Sequence, residues 1–177
     1  MKKIPLDVIK ELRNMTSASI SKCKEALEET AGDLNKAAAL LRKRGLEIAA
    51  KRQDKAAKEG RIEAYVHMGN KIGVIVEINC ETDFVARNAE FAQFAKDVAM
   101  QITALGAAYI KKEDVPEEVL KEEKDKERFY KEHCLLEQAF VKDPQITIKD
   151  YLGNLVAKIG ENIVIRRFAR YKIGELT

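Results

Sequence analysis

The stretch Cys80-Glu81-Thr82-Asp83-Phe84-Val85-Ala86-Arg87-Asn88 is a corner between two periodic patterns. Before it, Ile72, Val74, Val76 and Ile78 recur at every second position, as on one face of a strand. After Asn88, Phe91, Phe94 (or Ala95), Val98, Ile102 and Leu105 share one face of an amphipathic helix that Gly106 ends. Strand-to-helix corners usually carry small polar residues, which satisfy turn geometry and cap the helix. A phenylalanine between Asp83 and Val85 is out of place there unless something covers it. Two readings stand side by side. Phe84 is a wedge for a partner, or it folds back onto Phe91 or the sheet as a staple, with Asp83 as a cap. Either use suits binding better than catalysis.

Upstream, Ile62, Ala64, Val66 and Met68 alternate with Arg61, Glu63, Tyr65 and His67. Gly69-Asn70 supplies a two-residue turn, so residues 61–79 read as a hairpin whose apolar face continues into Ile72–Ile78. The first fifty residues hold three short helical patterns. Ile4, Val8 (or Ile9), Leu12 and Met15 form the first stripe, after Pro5. Ile20, Cys23 and Leu27 form the second, with Ser17 or Ser19 as its cap. Gly32-Asp33 stops it and caps the third, where Leu34, Ala37, Ala38 and Leu41 lead to a terminal Gly45. Each helix is too short to stand alone in water, so a compact three-helix unit is expected. Lys51 to Gly60 has little to bury and reads as an exposed linker.

Downstream, Pro116 to His133 reads as one highly charged helix with a thin seam of Val119, Leu120 and Phe129. Ile148, Leu152, Leu155, Val156 and Ile159 mark another helix, ending at Gly160. Asn162 to Tyr171 returns to β character.

The chain has 177 residues, 34% of them charged and 46% hydrophobic, with a formal net charge of only +3. This is the composition of a globular protein with a real core. A chain that mainly grips phosphate backbones is usually more lopsided. No apolar run reaches bilayer length. The start, Met1 to Lys10, lacks a continuous apolar segment and reads as part of the first helix, not a signal peptide. Three scattered cysteines, Cys23, Cys80 and Cys134, fit reduced thiols and a cytoplasmic location.

Catalytic and metal constellations are missing. His67 and His133 stand in no zinc-binding spacing, and the adjacent His133-Cys134 pair is not a nucleophile and base. There is no phosphate-binding glycine loop. Glu81 and Asp83 are read as capping or surface carboxylates. Arg166, Arg167 and Arg170, mixed with Phe168 and Tyr171, have some likeness to a nucleic-acid surface, but outward arginines are ordinary on a half-buried strand. An enzyme is not indicated, and no cofactor or metal is expected.

Three segments carry a resemblance. Thr82-Asp83-Phe84-Val85-Ala86-Arg87-Asn88 resembles a signature of the elongation factor Ts family, which accelerates nucleotide release from the GTPase elongation factor Tu. Residues 12–27, Leu-Arg-Asn-Met-Thr-Ser-Ala-Ser-Ile-Ser-Lys-Cys-Lys-Glu-Ala-Leu, resemble its amino-terminal signature. Ala157-Lys158-Ile159-Gly160-Glu161-Asn162-Ile163 is similar to its final helix-to-strand junction. The resemblance implies an α+β fold. A ubiquitin-associated-like three-helix domain with its linker (residues 1–55) would precede a core of antiparallel sheet packed with helices (residues 56–177).

It also implies a function. The chain would bind elongation factor Tu carrying GDP, disturb its Mg2+ site and promote GDP release. Thr82, Asp83, Phe84 and Val85 would enter near that site, with Phe84 as wedge, Asp83 as polar contact, and Arg13 and Ile20 docking the first domain. The chain looks like the short form with one core copy, so a homodimer and a two-to-two complex are expected, with no membrane and no direct nucleic acid. It departs from the family in a compact segment between Pro116 and Leu135. Rival readings are an adaptor whose first fifty residues bind a ubiquitin-like or nascent-chain partner, and an RNA-binding module built on Arg166, Arg167, Phe168 and Arg170.

Overall fold

The computed structural model describes residues 4–16 and 18–175. The candidate cap Ser17, and residues 1–3 of the expected first helix, lie outside the described residues. Three helices open the chain: α1 (Leu6–Thr16), α2 (Ile20–Glu29) and α3 (Leu34–Arg52). Ser19 caps α2 by accepting from the Lys22 N–H at 3.4 Å, and Asp33 caps α3 by accepting from Lys36 N–H at 3.0 Å. Ile9, Leu12, Cys23, Ala26, Leu27, Ala37, Ala38 and Leu41 bury one another between the three helices. Met15 and Ile20 are exposed, against the expected stripes; Ala26 fills the second stripe instead.

Gly45 does not end α3, which continues to Arg52. The glycine has a packing role. At Gly45 the helix crosses α8 (Ile148–Ile159), and a methyl group there would sit 3.3 Å from the Gly153 carbonyl. A methyl on Gly153 would in turn meet Leu46 at 3.0 Å. Two facing glycines let the helix backbones touch, so the second half of α3 packs on the main body of the protein, where Ile48 and Ala49 join its core.

The main body is a three-stranded antiparallel sheet in the order β1 (Glu59–Val66), β2 (Ile72–Cys80), β5 (Ile163–Lys172). The reversal between β1 and β2 takes Met68–Lys71, with Gly69 and Asn70 both at positive φ, and not Gly69-Asn70 alone. That connection sets a register in which Arg61, Glu63 and Tyr65 face Ile78, Val76 and Val74. Cross-strand partners share a face, so the core side of β1 carries an ion pair, Arg61 to Glu63 at 2.8 Å, and Tyr65. Its apolar residues Ile62, Ala64 and Val66 turn to the opposite side, alongside Ile75. The single continuous apolar face expected across the hairpin is therefore split between two faces of the sheet.

On β5, Arg166 is a bulge between the Glu77–Arg167 and Ile78–Ile165 pairs. The extra residue shifts the alternation, so that Ile163, Ile165, Phe168 and Arg170 stand on the core side. There α5 (Ala89–Leu105) packs Phe91, Phe94, Val98 and Ile102 against Val74, Val76 and Ile78. Asn88 caps α5, and Gly106 closes it. Leu105 is exposed and takes no part in the core.

The charged segment is two helices and not one: α6 (Glu117–Glu122) and α7 (Lys126–His133). Glu123 to Asp125 carry no apolar residue to bury, and Asp125 caps α7 by accepting from Arg128 N–H at 3.0 Å. A cap holds an aspartate better than a helix interior does. A short ladder, β3 (Ala139–Phe140) with β4 (Asp143–Thr147), leads into α8 and has no counterpart in the sequence reading.

Candidate functional site

Thr82 leaves β2 in an extended conformation, and its Oγ1 accepts from Val85 N–H at 3.4 Å. This starts a single helical turn, α4 (Asp83–Ala86). Successive side chains on a helix point in different directions. Val85 and Ala86 turn inward onto the main core, and Phe84 turns outward with 82% of its surface exposed. Phe91 is fully buried in the core, so the two rings do not form a staple. Thr82, and not Asp83, is the cap; the Asp83 carboxylate pairs with Arg87 at 3.0 Å. The four candidate residues thus stand on one turn, held from inside by Val85 and presenting Phe84 to water.

Behind the turn lies a group of polar residues, Glu81, Glu161 and Asn162 among them, to which the sequence assigned no joint role. Gly160, at φ +84°, reverses the chain after α8 and brings Glu161 to the end of β2. The Glu161 carboxylate accepts from Glu81 N–H at 3.1 Å, Thr82 N–H at 3.0 Å and the Thr82 hydroxyl at 2.6 Å. Glu81 returns the contact by accepting from Asn162 N–H at 2.6 Å, and it also meets Arg52 at 3.3 Å. The Asn162 amide donates to the carbonyls of Lys55 at 2.7 Å and Gln53 at 3.4 Å. Glu81 and Asp83 are therefore not a carboxylate pair: one faces the α8–β5 turn, the other Arg87. No spacing rule links residues about eighty positions apart, and the signals for Glu161 were its place after a helix-ending glycine and its presence in the segment that resembles the family's helix-to-strand junction.

The electrostatics suit a scaffold. The Asn162 N–H, with help from Arg52 and Lys55, holds the Glu81 carboxyl below its ordinary range. Burial, with the Glu161 charge beside it, pushes the Cys80 thiol up to about 11, and the thiol donates to the Thr82 carbonyl at 3.1 Å. Cys134 is likewise pushed up to about 11, chiefly by burial, so neither thiol is poised as a nucleophile. Cys23, Cys80 and Cys134 are all free and buried.

Arg13 and Ile20 lie apart from the turn, exposed on α1 and α2, with Ile20 57% accessible. Among the described residues no hydrogen bond or ion pair joins either to Thr82–Val85. The arginines of β5 are mostly committed. Arg167 donates to Glu77 at 2.7 Å, while Arg170 is largely covered and donates to Glu175 at 2.7 Å, against the outward placement expected. Phe168 is partly buried against the core and is not a stacking platform. His133 lies 4.5 Å from the Phe129 ring, and His67 contacts the Tyr65 hydroxyl. Among the described residues no cluster of three or more His, Cys, Asp or Glu could hold a metal, and no helix is long and apolar enough to cross a membrane.

Comparison with known proteins brings these features together. The family described as Elongation factor TS matches residues 2–128. An Elongation factor Ts of Caldanaerobacter subterraneus subsp. tengcongensis is 49% identical, covering 97% of this chain and 98% of its own length. Those of Carboxydothermus hydrogenoformans and Thermodesulfovibrio yellowstonii are 49% and 47% identical, each over 97% of this chain and over 90% and 97% of their own. The alignments run over 194 to 195 positions against 177 residues here, so these relatives carry residues with no counterpart in this chain. With a family match over residues 2–128 and three relatives 47–49% identical over 97% of its length, the chain belongs to the elongation factor Ts family of translation elongation factors.

Proposed function

We propose that this chain is a nucleotide exchange factor, acting on elongation factor Tu bound to GDP and releasing the GDP so that GTP can bind. The observation that carries the reading is Phe84, 82% exposed on a turn whose Val85 and Ala86 are half-buried against the core and whose cap, Thr82, is hydrogen-bonded to Glu161. A ring left in water on a braced turn gains free energy when a partner covers it. Exchange follows from linkage. A protein that binds the nucleotide-free GTPase better than the nucleotide-bound one weakens the nucleotide by the same factor. Mg2+ is a large local charge at the phosphates, so displacing the side chains that hold it weakens GDP without touching it. Phe84 is the group that intrudes near the Mg2+ site of the GTPase, Asp83 fixes its approach, and Thr82 and Val85 anchor the turn. No bond is made or broken, so this chain needs no catalytic residue and no cofactor of its own.

Residues 1–55 form the docking unit in this reading, with the exposed Arg13 and Ile20 as contacts, and residues 56–177 the core. The core also pairs two chains. Its outer sheet face carries Ile62 (68% exposed), Val66, Ile75 (51%) and Tyr171, around a Glu77–Arg167 pair. An exposed, largely apolar sheet face can be covered by a second copy of itself. Two chains and two GTPases then make a two-to-two complex in the cytoplasm.

The test is release of a fluorescent GDP from elongation factor Tu, followed by stopped flow with and without this protein. Acceleration at sub-stoichiometric protein is expected. An unchanged release rate, with binding carried by residues 1–55 alone, would favour an adaptor and overturn the proposal.

A further inference from the structure

We infer that Glu161 is a positioning residue for Phe84, the central member of a reciprocal carboxylate latch that fixes the Phe84-bearing turn and ties it to the end of α3. This rests on the reading of Phe84 as the wedge and deepens it. Thr82 is the last residue before Asp83-Phe84, and all its polar atoms are engaged. Its N–H and hydroxyl donate to Glu161; its hydroxyl accepts from Val85, and its carbonyl accepts from Ala86 N–H and the Cys80 thiol. One carboxylate therefore supplies both acceptors for the donors of Thr82. It takes Glu81 N–H as well, so the strand end cannot swing away from α8. The partner carboxylate, Glu81, accepts from Asn162, the residue after Glu161, so each chain segment grips the backbone of the other.

The same turn reaches the first unit. Arg52 closes α3 and meets Glu81, and Asn162, itself buried, holds the carbonyls of Gln53 and Lys55. Three segments distant in sequence (residues 52–55, 80–82 and 160–162) meet at one point. A GTPase contacted by both the three-helix unit and Phe84 would meet them in a fixed relation. Charge-assisted bonds at 2.6–3.1 Å hold direction as well as distance. Small displacement of a group that must enter a site costs rate steeply.

The experiment is a double-mutant cycle in GDP release from elongation factor Tu, using the full chain. Glu161→Ala is expected to slow exchange about tenfold or more at saturating protein, and to have no further effect in a Phe84→Ala background, because it acts through that ring. Glu161→Gln, which keeps an acceptor oxygen at the same reach, is expected to restore most of the rate; Glu161→Asp, one methylene short, is not. A folded Glu161→Ala with the wild-type rate, beside a slow Phe84→Ala, overturns the latch and leaves the wedge standing. The same holds if the Glu161→Ala loss is equal in both backgrounds, which marks a merely structural role. If Phe84→Ala itself exchanges at the wild-type rate, the wedge reading falls, and the latch falls with it. Should Glu161→Ala not fold, the order of Glu161→Gln and Glu161→Asp decides, and an Asp variant faster than the Gln variant overturns the assignment.

Discussion

Phe84→Ala separates binding from folding sharply, because the ring contributes so little to the folded chain. With 82% of Phe84 already in water, folding buries only a small part of it, and the substitution should change stability by no more than about 0.5 kcal/mol. At the GTPase the account reverses. Fully burying a phenylalanine is worth about 1.5–3 kcal/mol. Since folding leaves most of that surface available to a partner, about 1.2–2.5 kcal/mol remains to be gained on insertion. If that energy acts in the transition state for release, the mutant is slower by about eightfold to seventyfold. The measurement pairs thermal unfolding with stopped-flow release of labelled GDP over a range of mutant concentrations. A slower maximal rate with an unchanged melting temperature is expected, and Phe84→Leu should fall between, since it keeps much of the apolar surface. A mutant that melts normally and exchanges at the wild-type rate would refute the argument. So would one that loses only affinity at an unchanged maximal rate, which would make Phe84 an ordinary contact.

The other expectations concern the assembly, a helix crossing and pH. Ile75→Asp places a charge at the centre of the outer sheet face; it should convert a dimer at micromolar concentration to a monomer in sedimentation while leaving the fold intact, and a wild-type monomer would refute the pairing. Gly45→Val drives side-chain atoms into the Gly153 backbone at about van der Waals contact or closer. It should cost about 1–3 kcal/mol and several degrees of melting temperature, whereas Gly45→Ala should lose less because alanine gains helix propensity. Glu81 has a carboxyl held below its ordinary value of 4.5. Its contribution is complete above that pH and fades as pH falls through the lower folded value. The stability gap between wild type and Glu81→Gln should then be constant from neutrality to about pH 5 and shrink in stronger acid; a gap that widens in acid would contradict the latch geometry.

Local periodicity carried much of the fold. The helix after Asn88, its glycine stop at Gly106, the cap Asp33, Ser19 as one of two candidate caps, and the β character after Asn162 were legible, because each is set by residues within a few positions. Apart from the local break at Asp125 between α6 and α7, much of what failed depends on distant partners. Gly45 looks like a helix stop in sequence, and only the approach of Gly153 explains why it lies inside a helix. Ile62, Ala64 and Val66 look like a core stripe, but the register set by Met68–Lys71 turns them outward. At the site, Phe84 could be picked out because a phenylalanine at a polar corner is locally anomalous, although wedge and staple both stayed open on that reading. Glu161 could not, since its role exists only once α8 brings it to Thr82.

The latch matters because of the entropy it removes before binding. A four-residue loop that had to be ordered on the GTPase would cost about 1–2 kcal/mol per residue, or about 4–8 kcal/mol in all. That exceeds the 1.2–2.5 kcal/mol or so that Phe84 can return on burial. A wedge on a mobile loop would spend its binding energy on its own ordering, with nothing left to displace the side chains around Mg2+. Here Thr82 is hydrogen-bonded at every polar atom, Val85 and Ala86 are packed in the core, and only the ring remains to be immobilised. That last cost is about 0.5–1.5 kcal/mol, smaller than the gain on burial over most of its range. On this proposal the exposed phenylalanine and the half-buried carboxylates are two halves of one device, and losing either slows exchange.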